Sequence, residues 1–271
     1  MGTVRLVATD LDGTLLHSDG TLTPRTRAAL VAAEERGLDV VFVTGRPLRW
    51  AEELFEHVGG HGYAIVSNGA LIWDVAGAAP YLERPIAVDV LHTVTERLRT
   101  AVPGSRFAVE TLAGIALEEH FLERHPLPPD SRRGTFAEIA DRPAYKLLAR
   151  HEDLPPQEFW DAAEAAVGDQ VEITWSSATT LLEISAHGVT KASTLALFCA
   201  ERGVEADEVV AFGDMPNDLP LLAWAGTSYA MANAHPSLLA ATTLVAPAND
   251  EDGVAQIIER LLDTPVRARE H

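Results

Sequence analysis

The chain has 271 residues, 47% of them hydrophobic, a formal net charge of −19 and a single cysteine, Cys199. The length supports a full core in one large domain or two smaller ones, and the apolar content excludes a disordered chain. The acidic balance disfavours nucleic-acid binding, which needs a basic footprint, and one cysteine excludes an internal disulfide.

No run reaches the roughly 18 uncharged apolar residues that a membrane span needs. Acidic residues at 10 and 12 interrupt the first apolar stretch. No membrane partner and no secretory leader are therefore expected, and a cytoplasmic location fits. Cys199 falls among Leu195, Leu197 and Phe198 in a helical pattern and reads as a buried, inert thiol.

Val4–Thr9 reads as a short apolar strand, stopped by Asp10-Leu11-Asp12-Gly13-Thr14-Leu15. Thr23-Pro24 predicts a capped helix with proline at its first position, ending at Gly37. Leu38–Val43 is a second strand, closed by Thr44-Gly45-Arg46-Pro47, and Leu48–Val58 a helix. Tyr63–Ser67 is a third strand, ending at Asn68-Gly69. Strands alternating with helices argue for a mostly parallel sheet covered on both faces, the Rossmann-like α/β class.

After Gly69 the rhythm changes. Leu71–Trp73 and Pro80–Leu82 flank a Gly-Ala turn and suit a hairpin. Pro85–Val102 reads as a helix, Arg106–Thr111 and Tyr145–Arg150 as strands, and Pro155–Val167 as a helix stopped near Gly168. The stretch 120–143, rich in proline, arginine and acid, shows no pattern. Val171–Ser176 and Leu181–Ser185 suit a pair joined by a turn at Ser177–Thr180.

From Thr190 the first rhythm returns. A helix runs from Thr190 to Arg202, then Val209–Phe212 is a strand, Asp218–Trp224 a short helix and Ser228–Met231 a strand. Ser237–Ala241, Thr243–Ala246 and Val254–Leu262 follow as helix, strand and helix, before a polar tail at Asp263–His271. The expected division is a core of 1–82 and 185–271, interrupted by a mixed α/β cap at 83–184. An inserted domain that hinges over a pocket commonly controls access to it.

Two acidic clusters carry the chemistry. Asp10 and Asp12 follow the first strand, and Asp214 and Asp218 follow Val209–Phe212 within Gly-Asp-Met-Pro-Asn-Asp. Ligands sit beyond the carboxyl ends of strands in such sheets. Two acidic strand ends side by side are costly without a cation. This points to Mg2+ and to chemistry on a phosphate.

Asp10 suits a covalent nucleophile. Asp12, two residues on, suits a general acid that protonates the leaving alcohol and then a base that activates water. Gly13 allows a sharp turn between them. A calcium loop is disfavoured, because its twelfth position holds Thr21 and not glutamate. Thr44 can bond a phosphate oxygen beside backbone amides such as that of Gly45. Arg46 can reach substrate or pair with an acid, and Asn68-Gly69 is also an ordinary turn signal.

Lysine occurs only at 146 and 191. At a helix start Lys191 works against the dipole, which makes sense if it faces the carboxylates and a phosphate. Asp214 reads as a metal ligand. Asp218 reads as a support for the metal's water or for Lys191, and Asn217 as a hydrogen-bonding neighbour. The ten histidines form no ligand spacing, so zinc is not expected. The tryptophans read as packing residues, and no Gly-x-Gly-x-x-Gly or phosphate-binding P-loop is present.

These motifs resemble the haloacid dehalogenase superfamily across essentially the whole chain. They are Asp-Leu-Asp-Gly-Thr-Leu (10–15), Val-Thr-Gly-Arg (43–46), Lys191 and Gly-Asp-Met-Pro-Asn-Asp (213–218). Asn68-Gly69-Ala70 and the large insert resemble its Cof-type branch, with an α/β (type IIB) cap. The resemblance implies Asp10 as nucleophile, and Asp12 as acid/base with its carbonyl on Mg2+. It implies phosphate binding by Thr44, Gly45, Asn217 and Lys191, metal binding by Asp10, Asp12 and Asp214, and a supporting Asp218. Arg46 and Asn68 are then candidate substrate contacts.

The implied reaction is hydrolysis of a small phosphorylated metabolite, with a sugar phosphate preferred, by a monomer or homodimer. A phosphomutase and a phosphoacceptor signalling domain are the alternatives.

Overall fold

The computed structural model describes residues 4–55, 62–174 and 180–263. In chain order the first elements are β1 (Leu6–Thr9), α1 (Pro24–Glu35), β2 (Asp39–Val43) and α2 (Leu48–Phe55). They are followed by β3 (Tyr63–Val66), β4 (Leu71–Asp74), β5 (Ala79–Glu83), α3 (Val88–Ala101), β6 (Arg106–Thr111) and β7 (Gly114–Glu118). Next come β8 (Arg132–Gly134), α4 (Phe136–Ile139), β9 (Lys146–Arg150), α5 (Pro156–Val167), β10 (Val171–Thr174) and β11 (Leu181–Ala186). The last are α6 (Lys191–Glu201), β12 (Val209–Gly213), α7 (Leu219–Trp224), β13 (Thr227–Met231), α8 (Pro236–Ala241), β14 (Leu244–Ala246) and α9 (Gly253–Asp263).

The larger sheet runs β14-β13-β12-β1-β2-β3-β4-β5. It is parallel from β14 to β3, and β4 and β5 add an antiparallel edge. Every residue of β1 and β12 is buried, which is why both read as unbroken apolar runs. Thr23 caps α1 by accepting the Thr26 N–H, with Pro24 in the first turn. From β1 the chain steps one way through β2 and β3, and from β12 the other way through β13 and β14. Right-handed crossovers taken in opposite directions place their helices on opposite faces. Accordingly α1 packs on α9, and α6 on α7. The seam between β1 and β12 is the topological switch point, where ligands bind in open α/β sheets.

The second sheet runs β10-β11-β9-β6-β7-β8, antiparallel except for β7 beside β8. Strand alternation gives it two faces. Phe107, Val109, Leu147, Ala149, Leu182 and Ile184 join Leu91, Leu98, Phe159 and Ala163 of α3 and α5 in one core. Glu110, Lys146, Leu148 and Glu183 alternate with them and so occupy the opposite face, with Glu110 paired to Lys146 in register.

The helix expected from Pro85 starts at Val88. The pairing expected for Val171–Ser176 is present over Val171–Thr174. Trp175, Ser176 and the turn at 177–179 lie outside the described residues, as do 56–58 of the second helix and the tail from 264. The strand β7 had no counterpart in the sequence reading. The stretch 120–143 holds β8 and α4, the latter started by a reciprocal cap between Thr135 and Glu138. Cys199 is buried, which pushes its thiol up to about 12. No helix among the described residues is long and apolar enough to cross a membrane.

Candidate active site

Asp10 leaves β1 with its N–H donating to the Phe212 carbonyl at 3.1 Å, so it is tied to β12 as β1 ends. Asp214 leaves β12, and its Oδ1 accepts the Thr14 hydroxyl at 2.9 Å. Between them the loop at Leu11–Leu15 turns tightly, with Gly13 at φ +70°. A Cβ at Gly13 would lie 2.3 Å from Asp214 Oδ2. Only glycine therefore lets the two acidic strand ends approach.

Gly13→Ala combines that clash with an unfavourable φ. It is expected to cost about 1–3 kcal/mol of stability. Thermal melts check this, and a Tm equal to that of wild type would show that the close approach tolerates a side chain.

Asp218 is fully buried. Its Oδ2 accepts the N–H groups of Asp214 and Met215, each at 3.1 Å, and its Oδ1 accepts Lys191 Nζ at 2.6 Å. Lys191 Nζ also donates to Asp10 Oδ1 at 2.7 Å. Lys191 opens α6 beneath the cap of Thr190, whose hydroxyl accepts the Ser193 N–H. Carboxylate oxygens of Asp10, Asp214 and Asp218 lie within 4.8 Å of one another. Residues about two hundred positions apart thus meet in one buried pocket.

The electrostatics of that pocket are uncompensated. Burial raises the Asp10 carboxyl well above its ordinary range against the pull of Lys191, and the charges of Asp218 and Asp214 add to the rise. Asp214 is pushed up to about 6, by burial first and then by Asp218. Burial alone would lower Lys191, but Asp10 and Asp218 outweigh it and hold its ammonium charged. One ammonium among three buried carboxylates leaves excess negative charge that a divalent cation would neutralise. The donors are carboxylate oxygens, the kind that hard cations take. Because Asp218 has both oxygens committed to protein donors, Asp10 and Asp214 are the side chains that could hold such an ion.

The remaining residues surround a cavity of about 480 Å³ lined by Asp10, Asp12, Thr44, Gly45, Lys146 and Asn217, among others. Asp12 is held by a two-point ion pair, Arg46 Nε to Oδ2 at 2.7 Å and Nη2 to Oδ1 at 2.5 Å. Thr44 is buried, and its hydroxyl oxygen accepts the Arg46 N–H at 3.0 Å, leaving its proton to donate.

Asn68 is buried directly behind two residues that line the cavity, Glu183 and Asn217. Its Nδ2 donates to Glu183 at 2.7 Å and Thr174 at 3.1 Å, and its Oδ1 accepts Asn217 Nδ2 at 3.2 Å. Ser67, Asn68 and Gly69 all have positive φ, a backbone conformation retained where surrounding contacts enforce it. At Gly69 a Cβ would meet the Thr190 carbonyl at 2.4 Å, next to Lys191.

Lys146 and Glu183 are among the lining residues that had no place in the sequence reading of the site. Lys146 Nζ donates to the Gly45 carbonyl at 2.5 Å and to Glu183 at 2.8 Å. The one available signal was the scarcity of lysine. Arg49 also bridges the sheets, with Nη2 2.7 Å from Glu110 Oε1.

A sequence model of haloacid dehalogenase-like hydrolases matches residues 7–258. The pyridoxal phosphate phosphatase YbhA of Escherichia coli is 29% identical over 270 residues, covering 94% of this chain and 98% of that protein. An HMP-PP phosphatase of Serratia proteamaculans is 32% identical over 243 residues, covering 86% of each. Among solved structures, SMU.1108c of Streptococcus mutans superposes with a TM-score of 0.85 at 24% identity, covering 97% of this chain and 100% of that one. The similarity in fold extends over both sheets.

Proposed function

The chain belongs to the haloacid dehalogenase-like hydrolase family and is a phosphatase of phosphorylated small metabolites, and we propose that it hydrolyses a phosphate monoester through an aspartyl phosphate on Asp10. The observation that carries this reading is the buried Asp10 carboxylate, with Oδ1 taken by Lys191 and Asp214 beside it. Lys191 fixes one oxygen and so aims the other at phosphorus. Oδ2 of Asp10 bonds to phosphorus as the bond to the leaving oxygen breaks, and Asp12 gives that oxygen its proton. Asp12 then takes a proton from water, whose oxygen bonds to phosphorus as the bond from phosphorus to Asp10 Oδ2 breaks, releasing inorganic phosphate and restoring the Asp10 carboxylate.

Thr44, the Gly45 backbone, Asn217 and Lys191 would hold the phosphoryl oxygens. Arg46 must yield part of its grip on Asp12 for the proton to move. Mg2+, held by Asp10, Asp214 and the Asp12 carbonyl, would supply positive charge opposite the phosphoryl oxygens. The insert, residues 83–184 in this assignment, closes the pocket over the leaving group. A sugar phosphate is the preferred substrate, in a cytoplasmic monomer or homodimer.

The test is phosphate release across a panel of phosphorylated metabolites with Mg2+. Isomer formation without phosphate release would mark a phosphomutase instead, and a long-lived phosphorylated chain without turnover a phosphoacceptor. Asp12→Asn is expected to lower kcat by about 10²–10⁴-fold, the usual worth of a positioned acid or base. Rapid-quench kinetics equal to wild type would defeat the role of Asp12.

The raised carboxyls also predict a pH signature. A carboxyl whose folded pKa exceeds its unfolded value costs nothing at low pH, and its cost grows as pH rises from the unfolded value to the folded one, above which it is constant. For Asp214, raised from 3.8 to about 6, the cost is roughly 3 kcal/mol. In EDTA the Tm is expected to fall between about pH 4 and 6 and then level off, and Mg2+ to raise it by more at pH 7 than at pH 4. A Mg2+ effect independent of pH would contradict the assignment of Asp214 to the ion.

A further inference from the structure

The leaving-group end of the cavity is balanced in charge, and its balance is set by the cap. Both lysines of the chain are buried at this pocket, Lys146 at 3% exposure and Lys191 at 2%. The proposed chemistry uses Lys191 and leaves Lys146 without a role. A lone buried ammonium beside a phosphatase site would attract a second anion. Lys146 is not alone, because Glu183 lies 2.8 Å from it on the same face of the cap sheet. The pair is nearly inaccessible to bulk water, with side chains 3% and 11% exposed.

The other charges at this end are paired as well. Arg46 is held by Asp12; outside the lining, Arg49 stacks on Trp50 at 4.2 Å and is held by Glu110. Glu53 adds negative charge, while Trp50 and His125, ring centroids 5.0 Å apart and packed edge to face, form an aromatic wall. Among the described lining residues outside the phosphate cradle, no cation lacks an acidic partner. A carboxylate or second phosphate entering here would lose its hydration without gaining a counter-charge. A hydroxyl, by contrast, can donate to Glu183 and accept from Lys146, whose ammonium has a third N–H beyond those given to Gly45 and Glu183.

We propose that the Lys146–Glu183 pair selects phosphate monoesters of uncharged, hydroxyl-bearing alcohols and rejects those whose leaving group carries a second negative charge. This rests on the phosphatase reading above and deepens it. Recognition and rejection then come from one ion pair. Lys146 contributes a hydrogen bond, and Glu183 both accepts one and cancels the field that would draw an anion. Asn68 is a positioning residue for this pair, since its Nδ2 fixes Glu183 from the core.

The test uses matched ligands, glucose 6-phosphate and 6-phosphogluconate, which differ chiefly by a carboxylate. Binding is read by calorimetry with Mg2+ in an Asp10→Asn background, so that turnover does not intervene. Glucose 6-phosphate is expected to bind at least about tenfold tighter. Adding Glu183→Gln unmasks the ammonium and should shrink that ratio by about fivefold or more. Adding Lys146→Met leaves the carboxylate alone and should widen it.

Equal or tighter binding of 6-phosphogluconate, no binding of either ligand, or a ratio that neither folded variant moves would overturn the proposal. Should both variants fail to fold, the ratio in the Asp10→Asn chain still decides it. Hydrolysis of p-nitrophenyl phosphate by the wild-type chain reports separately on the phosphatase reading.

Discussion

Asp10→Asn is expected to lower kcat by about 10⁵–10⁶-fold in saturating Mg2+, the scale seen when a covalent nucleophile is removed. The same change is expected to stabilise the metal-free protein. Burial and the neighbouring carboxylates disfavour charge at Asp10 more than Lys191 favours it. A neutral amide of the same shape escapes that cost, while its oxygen can still accept from Lys191 at 2.7 Å. Activity and stability thus move in opposite directions, as expected where a site is strained for function. Single-turnover phosphate release and melts in EDTA measure the two effects. Wild-type kcat would refute the nucleophile, and a lower Tm in EDTA would refute the account of its environment.

The meeting of the acidic strand ends was legible in the sequence because it depends on local rules. Buried parallel strands read as apolar runs, as Leu6–Thr9 and Val209–Phe212 do, and the first polar residues after them stand at the sheet's carboxyl edge. Once β1 and β12 are neighbours, Asp10 and Asp214 have to meet.

The second sheet was less legible for equally physical reasons. The strand Gly114–Glu118 follows Leu112 and Ala113, so the apolar pattern runs through the turn, and only Gly114, at φ +96°, marks it. The strand Arg132–Gly134 lies at a sheet edge with both arginines exposed. An edge strand has no need of the apolar alternation that reveals an inner one. The place of Lys146 in the cavity was hidden for a third reason. Its strand was visible, but which face meets the core follows from how two sheets dock, and no local pattern encodes that. The Arg46–Asp12 pair is likewise a contact across 34 positions.

Lys191→Met should be the most disruptive change to fold and activity together. The ammonium is the hub of the cluster, bonded to Asp10 at 2.7 Å and Asp218 at 2.6 Å, with no solvent to replace it. Removing one partner of a buried ion pair costs about 3–5 kcal/mol, because the other is left unpaired. For a chain of this size that is a fall in Tm of about 10 °C. Loss of a positive charge aimed at the transferring phosphoryl group should lower kcat by a further 10²–10³-fold or so.

The pH dependence separates this cause from simple loss of packing. Without the ammonium the carboxyls of Asp10 and Asp214 rise further, so both can be neutral in acid and must be charged or protonated at a cost near neutrality. The stability gap to wild type should therefore be small near pH 4 and widen as pH rises through 6 and above. A cavity left by a shorter side chain would cost the same at every pH. Denaturation curves of the two proteins in EDTA at pH 4.5, 6 and 7.5 decide between them, and a gap that stays constant would mean that Lys191 matters for its volume and not its charge.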